Sequence, residues 1–196
     1  DKHMASLDAK EDDLSNIPLR ELEAFVNGLK EAEQARNREA IGESRAFLNF
    51  QCDDIENVSR SYLEAGISGI IMGQICAQLF DILVNRMIDL ARENMADRGV
   101  CLPDIPWAWM AVGSDGRREQ VLRTDMDNAL VFQSSGKRAK DEKHRTIFLE
   151  MARQVIDMMV DAGFSRCQGG VMASNPRWCK TDEEWIEEIR DLDRLK

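Results

Sequence analysis

Asp125 and Asp127 are two carboxylates one residue apart, at the start of a candidate strand. In an extended chain, residues i and i+2 project from the same face. Side by side the two carboxylates repel, so burying them together is costly unless a cation neutralises them. A hard divalent ion such as Mg²⁺ suits that place, because it takes oxygen ligands and usually combines one or two carboxylates with substrate phosphates. Upstream, Gly113 ends another candidate strand and carries no side chain to keep a phosphate away from the backbone. Ser114 adds a hydroxyl and a main-chain N–H, and Arg117, Arg118 and Arg123 add three planar guanidinium groups suited to bidentate phosphate contact. Each feature alone is common: Arg pairs are usually solvated, and Asp-x-Asp is usually a loop. Their order along one strand–loop–strand segment describes a metal-assisted phosphate site.

The elements that must position these residues differ between the two halves of the chain. Pro18 suits a first helical position, and Leu19, Leu22, Phe25, Val26 and Leu29 follow at helical spacing. Asp53-Asp54-Ile55-Glu56 has the form of a capping box. A long helix is predicted from about Ser68 to Asp97, with an apolar stripe of Ile71, Ile75, Leu79, Ile82, Leu83 and Leu90. Gln74, Gln78, Asn85 and Arg92 mark its polar side, and Gly99 ends it. Pro103 and Pro106 forbid a continuous helix and set a boundary. Residues 1–6 read as a vector-derived remnant, 7–104 as a helical region and 105–196 as an α/β core.

After the boundary the period changes. Trp107 to Val112 is a short β-prone run, and a second strand begins near Asp125 and includes Ala129 to Phe132. The polar loop between them, Ser114 to Thr124, is long for a hairpin turn, which points to function. Lys140 to Ala162 is amphipathic through Ile147, Phe148, Met151, Val155, Met158 and Met159, and Gly163 stops it. Gly169 to Pro176 reads as a loop or short strand, and Thr181-Asp182-Glu183-Glu184 as a capping box opening a last helix. The four tryptophans, Trp107, Trp109, Trp178 and Trp185, are expected in the core or at an interface. The fold class is therefore α+β: an amino-terminal helical region packed on a small mixed sheet flanked by helices.

Composition bounds the function. The chain has 196 residues with a formal net charge of −10, and its pI is about 4.8. An acidic chain is a poor general binder of nucleic acid or of anionic membrane, although a local basic pocket for a small phosphate ligand is still allowed. Five scattered cysteines without a C-x-x-C pair, and only two histidines, argue for reduced thiols and against a zinc site. No secretory signal is visible, and the apolar run from Ile67 to Ile75 is far short of the roughly 20 residues of a membrane span. A cytoplasmic location is expected.

Gly113-Ser114 followed by Asp125-x-Asp127 resembles the signature of the DNA polymerase beta-like nucleotidyltransferase superfamily. The fuller strings are Gly113-Ser114-x-Gly116-Arg117-x-Glu119-Gln120, Thr124-Asp125-x-Asp127-Asn128 and Gly169-Gly170-Val171-Met172-Ala173-Ser174-Asn175-Pro176-x-Trp178. They resemble a bacterial nucleotidyltransferase family commonly fused to CBS or cyclic-nucleotide-binding domains, similar to the nitrogen-signalling uridylyltransferase that modifies the PII protein. The resemblance covers roughly Ile67 to Trp185. It implies that Asp125 and Asp127 are catalytic and hold Mg²⁺. It implies that Gly113, Ser114, Arg117, Arg118, Arg123 and Thr124 bind the nucleoside triphosphate. Transfer of a nucleoside monophosphate to a protein or small-molecule acceptor in bacterial signal transduction would follow, with two metals on the attacking and leaving oxygens. A nucleotide-binding regulatory module with little turnover is the alternative, and a CBS-type domain and a second copy of the chain are the implied partners.

Within this pattern Glu119 is a candidate to orient an arginine or to form a surface salt bridge. Ser174 and Asn175 are candidates for base or ribose contact, beside the ordinary turn role of Gly-Gly and Asn-Pro. The superfamily also supplies a third carboxylate from a later strand. No apolar–Asp–apolar strand follows Phe132: Asp157 and Asp161 fall on a predicted helix, and Asp191 and Asp193 are expected after the last one. The third carboxylate is therefore expected from a further carboxy-terminal segment.

Overall fold

A computed structural model describes residues 56–57, 59–61, 63–66 and 68–194. The helix expected around Pro18 to Leu29, the Asp53 N-cap and Cys52 lie outside the described residues. Residues 56–57, 59–61 and 63–64 are helical. The long helix α1 follows (Gly69–Asp97), then strand β1 (Trp107–Ala111), a single helical turn α2 (Gly113–Gly116) and strand β2 (Asn128–Phe132). Helix α3 (Arg138–Asp161), a 3₁₀ turn (Pro176–Trp178), strand β3 (Cys179–Thr181) and helix α4 (Asp182–Arg194) complete the order. The fold is α+β, with β2 central in a three-stranded mixed sheet, antiparallel to β1 and parallel to β3.

The helix boundaries follow from local chemistry. Both long helices stop at a glycine in the left-handed region, Gly99 (φ 77°) and Gly163 (φ 93°). Past α3 the Gly163 N–H donates to the Val160 carbonyl at 2.9 Å and the Phe164 N–H to Met159 at 3.0 Å, a Schellman cap. Thr181 and Glu184 form the expected capping box of α4: the Thr181 N–H donates to Glu184 Oε2 at 2.8 Å, and the Glu184 N–H to Thr181 Oγ1 at 3.2 Å. Asp191 and Asp193 lie within α4 rather than after it.

Helix α1 packs along α3. Its polar residues Gln74, Gln78, Asn85 and Arg92 are exposed as the periodicity requires. The buried stripe is centred differently from the sequence reading: Ile75, Leu79 and Leu83 are buried, but Ile71 is exposed and Ile82 and Leu90 are half-buried. Met72, Cys76, Phe80, Met87 and Met95 fill the centre, because flexible methionines follow an irregular groove better than branched residues. By length and composition alone α1 could cross a membrane, yet in this fold one face of it is buried in the core and the other is exposed and mostly polar. Phe148 on α3 joins the helices to the sheet by stacking on Phe132 at 5.1 Å and meeting Trp107 at 5.7 Å.

Strand β3 was not legible in the sequence, where Cys179–Thr181 adjoins a predicted helix. It pairs Cys179 with Leu130 and Thr181 with Phe132, and Trp185 on α4 donates its indole N–H to the Leu130 carbonyl at 3.3 Å. The second strand also starts later than expected: Asp125 forms an isolated parallel bridge with Ser165, and the regular ladder begins at Asn128.

Gly73 decides how closely α1 approaches the polar loop. A Cβ there would lie 2.7 Å from the Arg118 carbonyl oxygen and 3.2 Å from Glu119 Cα. Both are backbone atoms that cannot swing aside, so Gly73→Ala should lose about 1–2 kcal/mol in chemical denaturation, the strain outweighing the better helix propensity. Gly69→Ala, whose Cβ meets nothing within 4 Å, is the control and should be neutral or stabilising.

Candidate metal and phosphate site

The site forms at the loop end of the β1–β2 hairpin. Ala111 pairs with Asn128, and the Val112 N–H donates to the Asp127 carbonyl at 3.0 Å, so the chain leaves β1 beside the acids that precede β2. Gly113 sits at φ 63°, and a Cβ on it would fall 3.2 Å from Asp127 Cβ and Cγ and closer still to Oδ2. The glycine serves the acid as well as any phosphate: only a residue without a side chain lets the Asp127 carboxylate take this place.

Asp125 and Asp127 do converge, although by a route other than a regular strand. Their carboxylates and the thiol of Cys167 each offer a ligand atom, and these atoms lie within 4.8 Å of one another. Cys167 arrives through the Asp125–Ser165 bridge, anchored by the Ser165 N–H on the Thr124 carbonyl at 3.1 Å. A turn closed by the Gly170 N–H on the Cys167 carbonyl at 3.1 Å then holds it. Asp125 is exposed and Asp127 half-buried, and Asp127 Oδ1 is a buried oxygen with no hydrogen-bond partner. A buried carboxylate oxygen lacking a donor is costly. A cation between the acids would satisfy it, so the donor set fits a divalent metal ion.

Ser114 is the second residue of the helical turn α2, where the first N–H groups have no intrahelical acceptor. Its hydroxyl donates to Gln120 Oε1 at 3.3 Å, and the buried Gln120 has no partner for Nε2. The three arginines separate. Arg117 pairs with Glu119 at 2.9 Å on the surface, the salt bridge foreseen for Glu119, and an exposed pair of this kind contributes little. Arg118 is exposed and stands at φ 58°, the one non-glycine left-handed residue among those described, its N–H donating to the Asp115 carbonyl at 2.8 Å. Arg123 is built into the scaffold: Nε and Nη2 grip Glu56 at 2.8 and 3.2 Å, and Nη1 donates to the Ala162 carbonyl at 3.0 Å. Hydrogen bonding from Arg123 holds the Glu56 carboxyl below its ordinary range despite partial burial. Thr124 also acts through its backbone, its N–H bonding Leu122 and its carbonyl accepting from Ser165.

The second motif is tied to the first through Asn128. The buried Asn128 donates through Nδ2 to the Met126 carbonyl at 2.9 Å, and its Oδ1 accepts from the Ala173 N–H at 2.8 Å. Asn175 closes its own loop, donating to the Gly170 carbonyl at 2.9 Å and accepting from the Arg177 N–H at 3.1 Å. Its side chain is thereby occupied in structure. Glu56, Gly73, Asp115 and Cys167 escaped the sequence reading. For Asp115 a signal existed, a third acid inside the Gly-Ser-x-Gly loop; for the others the partner is far away in sequence.

A match to a family model spans residues 53–194, well over half of the chain, and the family is described as "Putative nucleotidyltransferase DUF294". The chain belongs to this nucleotidyltransferase family. The matched span includes Glu56, the loop, both acids and the Asn128-linked second motif. No match was found among curated proteins or among solved structures.

Asp115 is 5 % exposed, and burial together with the nearby charge of Asp81 pushes its carboxyl up to about 6. A carboxyl raised in this way is harmless below its unfolded pKa near 4 and increasingly destabilising as pH rises through 6. Asp115→Asn should match the wild type at pH 4 and exceed it at pH 7 by up to about 3 kcal/mol, read as the pH-dependent difference in denaturation midpoints.

Proposed function

We propose that this domain is a Mg²⁺-dependent nucleotidyltransferase that transfers a nucleoside monophosphate from a nucleoside triphosphate to an acceptor hydroxyl, with release of pyrophosphate. The observation that carries the reading is the convergence of Asp125 and Asp127, one with a buried oxygen lacking any donor, against the bare Cα of Gly113. Family membership supports the same chemistry. Asp125 and Asp127 would hold the cation. A bound Mg²⁺ would neutralise charge on the triphosphate and stabilise the attacking and leaving oxygens of the displacement.

The chain's own groups do the rest. The main-chain N–H of Ser114, and its hydroxyl once turned from Gln120, donate to phosphate oxygens, and Gly113 keeps the approach to the backbone open. Arg117 and Arg118 lie on the same loop at the surface, where they balance phosphate charge. Arg123 contributes by fixing the loop through Glu56, and Thr124 by joining it to Ser165. A protein or small-molecule acceptor in bacterial signal transduction, resembling the nitrogen-signalling uridylyltransferase, and a CBS-type regulatory partner complete the proposal.

One feature favours a second reading, a nucleotide sensor with little turnover. Among the described residues the third member of the acid cluster is a thiol rather than a carboxylate. Among the described residues no third carboxylate joins the pair to serve as a base for the acceptor hydroxyl.

Calorimetric titration with ATP and with UTP in Mg²⁺, alongside an assay for pyrophosphate release, separates the possibilities. Asp127→Asn should lower turnover by about a hundredfold or more, since loss of a direct ligand exceeds the effect of losing its supporting hydrogen bonds. Ser114→Ala should cost about tenfold, one hydrogen bond. Binding heat without pyrophosphate or a labelled acceptor would leave the sensor reading, and no heat at all, unchanged by Asp127→Asn, would defeat both.

A further inference from the structure

We infer that Cys167 is a third ligand at the Asp125–Asp127 centre, making it a mixed oxygen–oxygen–sulfur site that holds borderline and soft divalent cations such as Zn²⁺, Co²⁺ or Cd²⁺ more tightly than Mg²⁺. The inference rests on the reading that the two acids hold a cation, and it adds a ligand of different chemistry to them. Three ligand atoms within 4.8 Å of one another can close on a single ion, and one of them belongs to the acid with an unpartnered buried oxygen.

The backbone places the thiol there by register. Asp125 bridges Ser165 in parallel, and two residues further along both segments stand Asp127 and Cys167. The single bridge sets the two segments side by side, and the thiol and both carboxylates come within 4.8 Å of one another. The turn to Gly170 follows at once, and Gly169 lies close, a Cβ on it falling 3.6 Å from the Cys167 sulfur. Cys167 is half-buried, whereas Cys76 and Cys179 are buried in the core.

Ligand softness gives the consequence. A thiol loses its proton to water on binding a metal, and thiolate favours Zn²⁺ and its softer neighbours over Mg²⁺, which prefers oxygen. Mg²⁺ would use the two carboxylates and leave the sulfur aside. A thiophilic ion would use all three ligands and still have coordination positions open for water or a phosphate oxygen.

The test uses the whole metal-free chain and two probes. Co²⁺ or Cd²⁺, followed by the near-ultraviolet charge-transfer band of a metal thiolate, reports the sulfur. Mn²⁺ binding, followed by paramagnetic resonance, reports the carboxylates. Cys167→Ser should abolish the thiolate band and weaken Cd²⁺ binding by about tenfold or more, while Mn²⁺ affinity changes by less than about threefold. Asp127→Asn should weaken both ions. Cys167→Asp should tighten Mn²⁺ and weaken Cd²⁺, a reversal that a misfolded variant would not produce. A thiolate band that persists in Cys167→Ser, with Mn²⁺ still bound through the acids, overturns the inference and leaves the two-carboxylate reading intact. Mn²⁺ binding indifferent to Asp127→Asn overturns that reading, and a thiolate band equally indifferent to it removes the mixed site as well.

Discussion

The carboxylate of Asp127 rests against the Cα of Gly113, and the geometry of the site depends on that contact. It requires a residue without a side chain, held at positive φ, at the point where the chain leaves β1. The hydrogen bond from Val112 to the Asp127 carbonyl holds the same two segments together through the backbone. The hairpin thus ends in a fixed juxtaposition of acid and loop rather than in a turn. Repulsion between Asp125 and Asp127 is built into this arrangement, as is the orphaned Asp127 oxygen. Such local cost persists only where the surroundings over-determine the conformation.

The surroundings do so from separate directions. Helix α1 offers Gly73, so that the loop backbone at Arg118 and Glu119 can lie against the helix. Glu56 takes the Arg123 guanidinium in a two-pronged grip in a partly buried place, where such a pair is screened less than at the surface. The Ala162 carbonyl, at the capped end of α3, receives the remaining arm. Three arginines that look alike in sequence therefore divide: Arg123 is part of the frame, Arg117 is paired in solvent, and Arg118 is exposed on a left-handed backbone.

What could be read from the sequence was local. Gly99 and Gly163 mark helix ends because a left-handed cap is a short-range event, and the Thr181–Glu184 box is complete within four residues. The antiparallel hairpin and the meeting of the two acids were legible for the same reason. Strand β3 was hidden because it is three residues long and acquires its identity from pairing with β2. Cys167 was hidden because nothing near it in sequence indicates that Ser165 bridges Asp125. The α1 stripe was misjudged by part of a turn, since the groove it fills is shaped by α3, which periodicity within α1 cannot report.

Asn128 has a further consequence, for the order in which the molecule assembles. Its amide is satisfied on one side by its neighbour Met126 and on the other by Ala173, 45 residues away. A contact of that span carries a loop-closure entropy that must be met before the bond can form, so long-range pairings arrive late relative to helices and hairpins. During synthesis the hairpin and α3 can form from chain already released, whereas the bond from Ala173 to Asn128 must wait for the 170s to emerge. A nascent chain that carries both acids but ends before the 170s therefore lacks the Ala173 N–H that holds the Asn128 amide beside them.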